Sequence, residues 1–410
     1  MRLSAEEESI RAGEQGEAAR AALESQVAVG QFYGAEGFVE VTNAHLMGDW
    51  EVMGEGGYRY LAQLASSGGQ VKIPTTRNPR PVDLRYANRL RQSRELLDGE
   101  RRVTALLRKL GIAGVDTCIA YQSLYQPSLG EHVAWGDTGA AIYANAVFGA
   151  RTNFESGPAA IAAALTGRTP AYGYHLDEHR RPNVRCRVEV SLHDLADWGA
   201  LGAAVGSLLP DYWAVPLLEG VDRPSSPDAL KHLGAALASY GSLAMFHIPG
   251  VTPEAMGVEQ ATIKRQVTVT QADIDALYDE AGRAGEPVDL VVFSAPQLSL
   301  FELRRLAGLL DGQRLASAVT LIVTTNPMTR AAADDAGYVS AIEGTGALVL
   351  QGTCWYIMDP AAMRDAFGWR RLVTNSAKLV NIMKVHGYEP VLRRTEGCVE
   401  AALTGKVPSR

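Results

Sequence analysis

The chain reads as an α/β protein built on parallel sheets. Two observations predict this. The second half alternates β-branched runs with amphipathic helical segments, the signature of βα units. The runs DLVVFSAP (289–296) and AVTLIVTTN (318–326) are almost continuously apolar, as strands buried on both faces are. The 410 residues suffice for two or three well-buried cores. Composition shifts divide them into an N-terminal α/β region (1–110), a central region (111–285) and a C-terminal region (286–410).

Residues 4–29 predict a helix, with Ser4 and Glu7 spaced as a capping box. VEVTNAHLMG (39–48) reads as strand and loop, and VKIPTTRNPRPVD (71–83) as a short strand entering a Pro-rich loop. Residues 83–110 read as a charged helix stopped by Gly111. GVDTCIAYQ (114–122) reads as a strand ending in a polar loop. Residues 130–173, rich in Gly, Ala and Asn, predict two close-packed helices around a polar loop. No P-loop or G-x-G-x-x-G follows a strand, so no nucleotide cofactor is expected. RCRVEVSL (185–192) is a strand, 193–208 a helix, and 234–249 helix then strand. VTVT (267–270) leads into a helix with Thr270 and Asp273 at its start. A helix capped by Ser299 follows DLVVFSAP, and one over 328–336 follows AVTLIVTTN. ALVLQGTCWYI (347–357) is a strand, and 370–387 is strand, turn and helix.

Net charge is −7, with acids and bases interspersed, which gives no electrostatic case for nucleic acid or an anionic membrane. The N-terminus MRLSAEEESI lacks the pattern of a signal peptide, and no apolar run reaches about 18 residues. The expected location is the cytoplasm. Cys118, Cys186, Cys354 and Cys398 are too scattered for a zinc knuckle.

In parallel sheets, ligands bind beyond the carboxyl ends of the strands. Four such ends are polar and distinctive: Thr117-Cys118, Ser294-Ala295-Pro296-Gln297, Thr353-Cys354 and Thr374-Asn375-Ser376. If they converge, they form one site, and two of them carry cysteine.

These residues carry a resemblance. The segment EHVAWGDTGAAIYANAVFGARTNFESGPAAIAAALTGRTPAYGYHLDEHR (131–180) resembles the central motif of the aconitase X large subunit. FHIPGVTPEA (246–255), VKIPTTRNP (71–79), NAHLMG (43–48), DTC (116–118) and GTC (352–354) agree in place and order. The resemblance implies an aconitase-like fold: three α/β units around a central cleft, closed by a smaller swivelling unit. The sequence ends before any such unit, so a small-subunit partner is expected. The implied activity is a hydro-lyase dehydrating a small, 3-hydroxyproline-like acid.

The resemblance also implies three cysteines holding an iron–sulfur cluster. Cys118 and Cys354 match two of them, but the third position is Ala295, and a histidine two residues on is Gln297. A methyl group supplies no soft anionic ligand. Mononuclear iron held by two cysteines with a further residue, or no metal at all, stay open. An expected arginine is Phe154, which points to an altered substrate.

Dehydration requires a base at the α-carbon, a Lewis acid or proton donor at the departing hydroxide, and donors for the enediolate. The candidate catalytic residues are His45 as proton donor, Glu131 orienting His132 ahead of a helix, and Ser376 with Lys378 at a helix start. Substrate-binding candidates are Lys72, Thr75, Thr76 and Asn78 in the Pro-flanked loop. Asn145, Arg151, Thr152 and Asn153 form a second group, with Arg151 as a carboxylate clamp. The resemblance places the base in the swivelling partner. Cys186 and Cys398 are expected to be structural, and Asp177, Glu178 and His179 a solvated loop. Two other functions compete with the hydro-lyase: a metal-free isomerase, lyase or cyclising enzyme of secondary metabolism, and a non-catalytic binding subunit. Ala295 and Gln297 favour the first of these; the retained polar loops argue against the second.

Overall fold

The computed structural model describes residues 1–255 and 262–409. Its described strands are β1 (Phe38–Glu40), β2 (Ala44–Leu46), β3 (Thr75–Arg77), β4 (Ala134–Trp135), β5 (Arg168–Pro170), β6 (Val184–Glu189), β7 (Pro216–Glu219), β8 (Arg265–Thr270), β9 (Leu290–Phe293), β10 (Thr320–Thr325), β11 (Leu348–Gln351), β12 (Arg371–Thr374) and β13 (Glu389–Leu392). They form three parallel sheets, ordered β3-β2-β4, β7-β6-β8 and β11-β10-β9-β12-β13. A small antiparallel pair joins β1 to β5. β4 lies on the far side of residue 110, so the first sheet draws a strand from the region expected to be central.

The third sheet shows why its sequence reads so clearly. Side chains alternate across a strand. Val291 and Phe293 of β9 pack with Leu303, Leu306 and Ile342 on one face, while Leu290 and Val292 pack with Met363, Leu379 and Met383 on the other. Both faces are covered, so the strand needs no polar residue. The chain runs β9-β10-β11 in one direction and then returns to β12 and β13 on the other side of β9. The crevice between β9 and β12 is therefore a topological switch point, where α/β sheets hold ligands.

Small residues bring backbones together around the first sheet, as expected of residues 130–173. The helix Thr138–Tyr143 runs into a π-turn over Ala144–Phe148, and a second helix spans Gly157–Thr166. A Cβ on Gly136 would sit 2.5 Å from the Glu155 carbonyl oxygen, and one on Gly157 2.6 Å from that of Met47. Only glycine permits either approach.

Several elements differ from the sequence reading. The first helix is two, Ala5–Arg11 and Glu17–Phe32, broken where Gly13 and Gly16 take positive φ; the Ser4–Glu7 capping box holds in both directions. The helix expected over 83–110 begins only at Arg94, under a Ser93 cap. Before it, Asp83 accepts from the backbone of Arg85 and of Gln351 in β11, which ties that stretch to the third sheet. Residues 114–122 form no strand, because Asp116 takes φ +49° and leaves the ladder. After Gly241 only an isolated bridge, Leu217 to His247, takes the place of the expected strand. Among the described residues no helix is long and apolar enough to cross a membrane.

Candidate active site

The polar ends of β9, β11 and β12 and the Thr117-Cys118 turn, which follows no strand, meet at the switch-point crevice. Ser294, after β9, accepts hydrogen bonds from Thr324 Oγ1 (2.8 Å) and the Trp355 N–H (3.1 Å), and its hydroxyl lies 3.7 Å from Cys354 Sγ. Ser376, after β12, caps the helix Ala377–Val385 and donates to the Ala295 carbonyl at 2.6 Å. Gln297 is fully buried between the loops. Its Nε2 donates to the carbonyls of Asp116 (3.2 Å), Thr325 (3.3 Å) and Thr353 (3.0 Å), and its Oε1 accepts from the Cys118 N–H (3.2 Å).

The Cys118 and Cys354 thiols are neighbours in the crevice, and both are buried. Burial pushes the Cys118 thiol far above its ordinary range. Burial also works to raise Cys354, but the neighbouring Cys118, the Lys378 charge and the Ser294 hydroxyl outweigh it, and Cys354 falls below the ordinary thiol range. Lys378 is buried, its Nζ 5.5 Å from the centre of the Tyr356 ring, and it makes no ion pair among the described residues. It stands in the cleft with no carboxylate partner among the described residues.

The first sheet presents its carboxyl edge to the same place. His45, on β2, is fully buried, with Nδ1 2.8 Å from Thr76 Oγ1 on β3. Its Nε2 faces the Asn78 side chain and the Thr117 backbone, with no aligned hydrogen bond among the described residues. Burial lowers its pKa, against the pull of the nearby Asp137 carboxylate, so the imidazole is neutral. Asp137 follows β4, caps the next helix through the Ala140 N–H (2.9 Å) and accepts from Asn78 Nδ2 (3.2 Å). Beneath, Arg77 is sandwiched between Asp116 (2.5 Å) and Glu100 (2.8 Å), both buried. Arg80 shares the Asp116 carboxylate at 3.6 Å. Arg80 Nε, Asn78 Oδ1 and Thr353 Oγ1 are buried without a hydrogen-bond partner among the described residues. Such atoms cost free energy unless something meets them.

His45, Thr76, Asn78, Cys118, Cys354, Ser376 and Lys378 thus come together. The other sequence-predicted residues do not. Lys72 and Thr75 lie at the amino end of β3, away from the carboxyl edge. Lys72 pairs with Glu6 at 2.6 Å, and the Thr75 hydroxyl turns back to Ile73. Glu131 and His132 likewise precede β4 and no helix follows them directly. Glu131 accepts from Thr42, Tyr125 and Ser128 and does not orient His132, whose Nδ1 instead lies 2.9 Å from His175 Nδ1. Arg151 bonds the His175 carbonyl and Asp177, which leaves no fork for a carboxylate. Asn145 ties Thr152 to the Ala244 carbonyl, Thr152 takes the Trp135 N–H, and Asn153 joins Tyr172 to Tyr174. These three staple a turn. Phe154 packs edge-on against Tyr212. Cys186 and Cys398 are buried in apolar clusters, as expected. The sequence reading missed Arg80 and Asp137, and it placed Thr353 at a polar strand end without giving it a role. Asp137 carried a signal, an aspartate directly before a small-residue helix.

Comparison with known proteins matches the aconitase X first, second and third domains to residues 1–178, 182–279 and 288–404. The chain belongs to the aconitase X family. It is 36% identical to the phosphomevalonate dehydratase large subunit of Methanosarcina mazei over 409 residues, covering 99% of this chain and 98% of that one. It is 33% identical to the cis-3-hydroxy-L-proline dehydratase of Pseudomonas aeruginosa over 416 residues, covering all of this chain and 71% of that one. The crystal structure of Thermococcus kodakaraensis aconitase X in its holo-form superposes with a TM-score of 0.90 at 32% identity, covering 98% of this chain and all of that one.

The donor set does not fit a thiolate-held cluster of the kind implied for aconitase X. Two thiols face one another, but the third corner is the buried methyl of Ala295, and the Gln297 amide lies between the loops. Among the described residues, no three His, Cys, Asp or Glu side chains gather into a metal-binding group.

Proposed function

We propose that this chain is the large subunit of a cytoplasmic aconitase X hydro-lyase that removes water from a small hydroxy acid, with a small subunit closing its cleft. The observation that carries the reading is the convergence of two cations and several unmet polar atoms on the switch-point crevice of an aconitase X chain. Arg80 and Lys378 hold the substrate carboxylate and the enediolate charge that grows on it as a base supplied by the small subunit takes the α-proton. His45, neutral and braced by Thr76, donates a hydrogen bond to the departing hydroxyl. Asp137 and Asn78 orient the hydroxyl. The family position of the relatives named large subunits supports the partner.

A second reading is favoured by one observation, the substitution of Ala295 and Gln297 for metal-binding residues. The same pocket then moves an α-proton without expelling hydroxide, as an isomerase or cyclising enzyme does. Proton NMR in heavy water, on the chain with its small subunit, separates the two. Cis-3-hydroxy-L-proline, phosphomevalonate and other 3-hydroxy acids are the panel. Formation of an unsaturated product supports the hydro-lyase. Deuterium entering the α-position with the hydroxyl retained supports the second reading, and no change in any acid rejects both.

A further inference from the structure

Three separated backbone segments must hold still for this cleft to exist: residues 116–118, the end of β10 at Thr325, and the Thr353–Cys354 turn after β11. One side chain touches all three. The Gln297 carboxamide has two N–H hydrogens and shares them among three carbonyls, one on each segment, while its oxygen takes the Cys118 N–H. Its backbone N–H donates to Cys118 Sγ at 3.3 Å, and its carbonyl accepts from Lys231 Nζ at 3.1 Å. Every polar atom of the residue is engaged.

The chemistry is specific to an amide. A carboxylate here would face three carbonyl oxygens with no hydrogen to offer, and a thioether would offer neither donor nor strong acceptor. The neighbouring Ala295 brings only a methyl group, and its own carbonyl is capped by Ser376. Where a cluster would bind the loops through sulfur, this chain binds them through hydrogen bonds inside a buried site, where such bonds are strong.

We propose that Gln297 is a metal-free tie: it assembles the cleft around Cys118 and Cys354 in place of an iron–sulfur cluster, and the folded site requires no metal. Gln297 is a positioning residue, acting through the loops that it joins.

The full chain with its small subunit is incubated anaerobically with ferrous iron and sulfide, then desalted. Iron and sulfide content, visible absorbance, amide hydrogen exchange and thiol reactivity with an aromatic disulfide are measured for wild type, Gln297→Met and Gln297→Glu. The wild type is expected to keep less than about 0.2 iron per chain, with a thermal midpoint unmoved by the treatment. Both variants are expected to speed exchange at the Cys118 amide at least tenfold, and to expose Cys118 and Cys354 to the reagent while Cys186 and Cys398 stay protected. That last contrast separates a local tie from general loosening. Stoichiometric iron and sulfide in the wild type overturns the proposal, and so do variants whose exchange and thiol rates match it. Should neither variant fold, the wild-type iron content and midpoint decide.

Discussion

Replacing Lys231 with methionine should cost about 3–5 kcal/mol, as removal of one partner from a buried ion pair does. The ammonium is fully buried on the helix Pro227–Gly241 of the middle unit. It meets Glu302 of the third unit, Asp228 at 3.2 Å and the Gln297 carbonyl at 3.1 Å. Glu302 also takes His232 Nε2 at 2.9 Å. Burial works to raise the Glu302 carboxyl, but Lys231 and His232 outweigh it and hold its pKa down to about 2, against an ordinary 4.5. A drop of that size corresponds to about 3 kcal/mol. Because the folded value lies below the unfolded one, this contribution is complete above pH 4.5 and is lost as pH falls toward 2. In Lys231→Met, Glu302 and Asp228 remain buried with no lysine between them. Urea unfolding at pH 7 and pH 4 measures both effects. The double variant Lys231→Met/Glu302→Gln should recover about 1–3 kcal/mol of the loss, since the neutral amide no longer needs a cation. A single variant within about 1 kcal/mol of wild type at pH 7, or a double variant that recovers nothing, would refute this account of the seam between the second and third units.

Asp49 is buried, its Oδ2 lacks a partner among the described residues, and burial pushes its pKa up to about 7. Its stabilising share is therefore present at low pH and lost as pH rises through 7. Asp49→Asn keeps a cap for the Val52 N–H and should add about 2–4 kcal/mol at pH 8 and little at pH 4; an equal gain at both pH values contradicts the assignment. Lys72→Ala should leave kcat/KM within about twofold, while Arg80→Ala lowers it about a hundredfold or more, measured on whichever acid turns over. Gly136→Ala forces a Cβ against the Glu155 carbonyl and should cost about 2 kcal/mol in urea unfolding, with the thermal midpoint falling in step.

The α/β alternation of the second half was legible because its strands are covered on both faces and its helices begin at side-chain caps. Ser299–Glu302 and Thr270–Asp273 form the capping boxes that their spacing suggests. The helical segment Trp50–Ser66, broken at Gly54 where φ is +56°, was not legible: Gly54, Gly56 and Gly57 dilute its propensity, and packing with the helix Arg94–Lys109 holds its second stretch. The polar ends of β9, β11 and β12 stood out in sequence because each follows an apolar run. In the first sheet the strands have two or three residues, so nothing marks which end is which. Lys72 read as well as Asn78, and Glu131 was chosen where Asp137 was not; only the parallel register separates them. Gln297 showed the loss of a ligand but not its own role, which depends on three carbonyls distant in sequence.

The loop from Asn78 to Asp83 has two employers. It offers Asn78 and Arg80 to the cleft, and it fastens the first unit to the third through Arg80 N–H to the Gly352 carbonyl (3.0 Å) and Asp83 to the Gln351 N–H (2.8 Å). Lengthening it to admit a bulkier acid would unpick the joint between those units. A change of substrate in this chain is therefore confined to exchanges of side chain at fixed loop length, or to the parts of the wall that carry no joint.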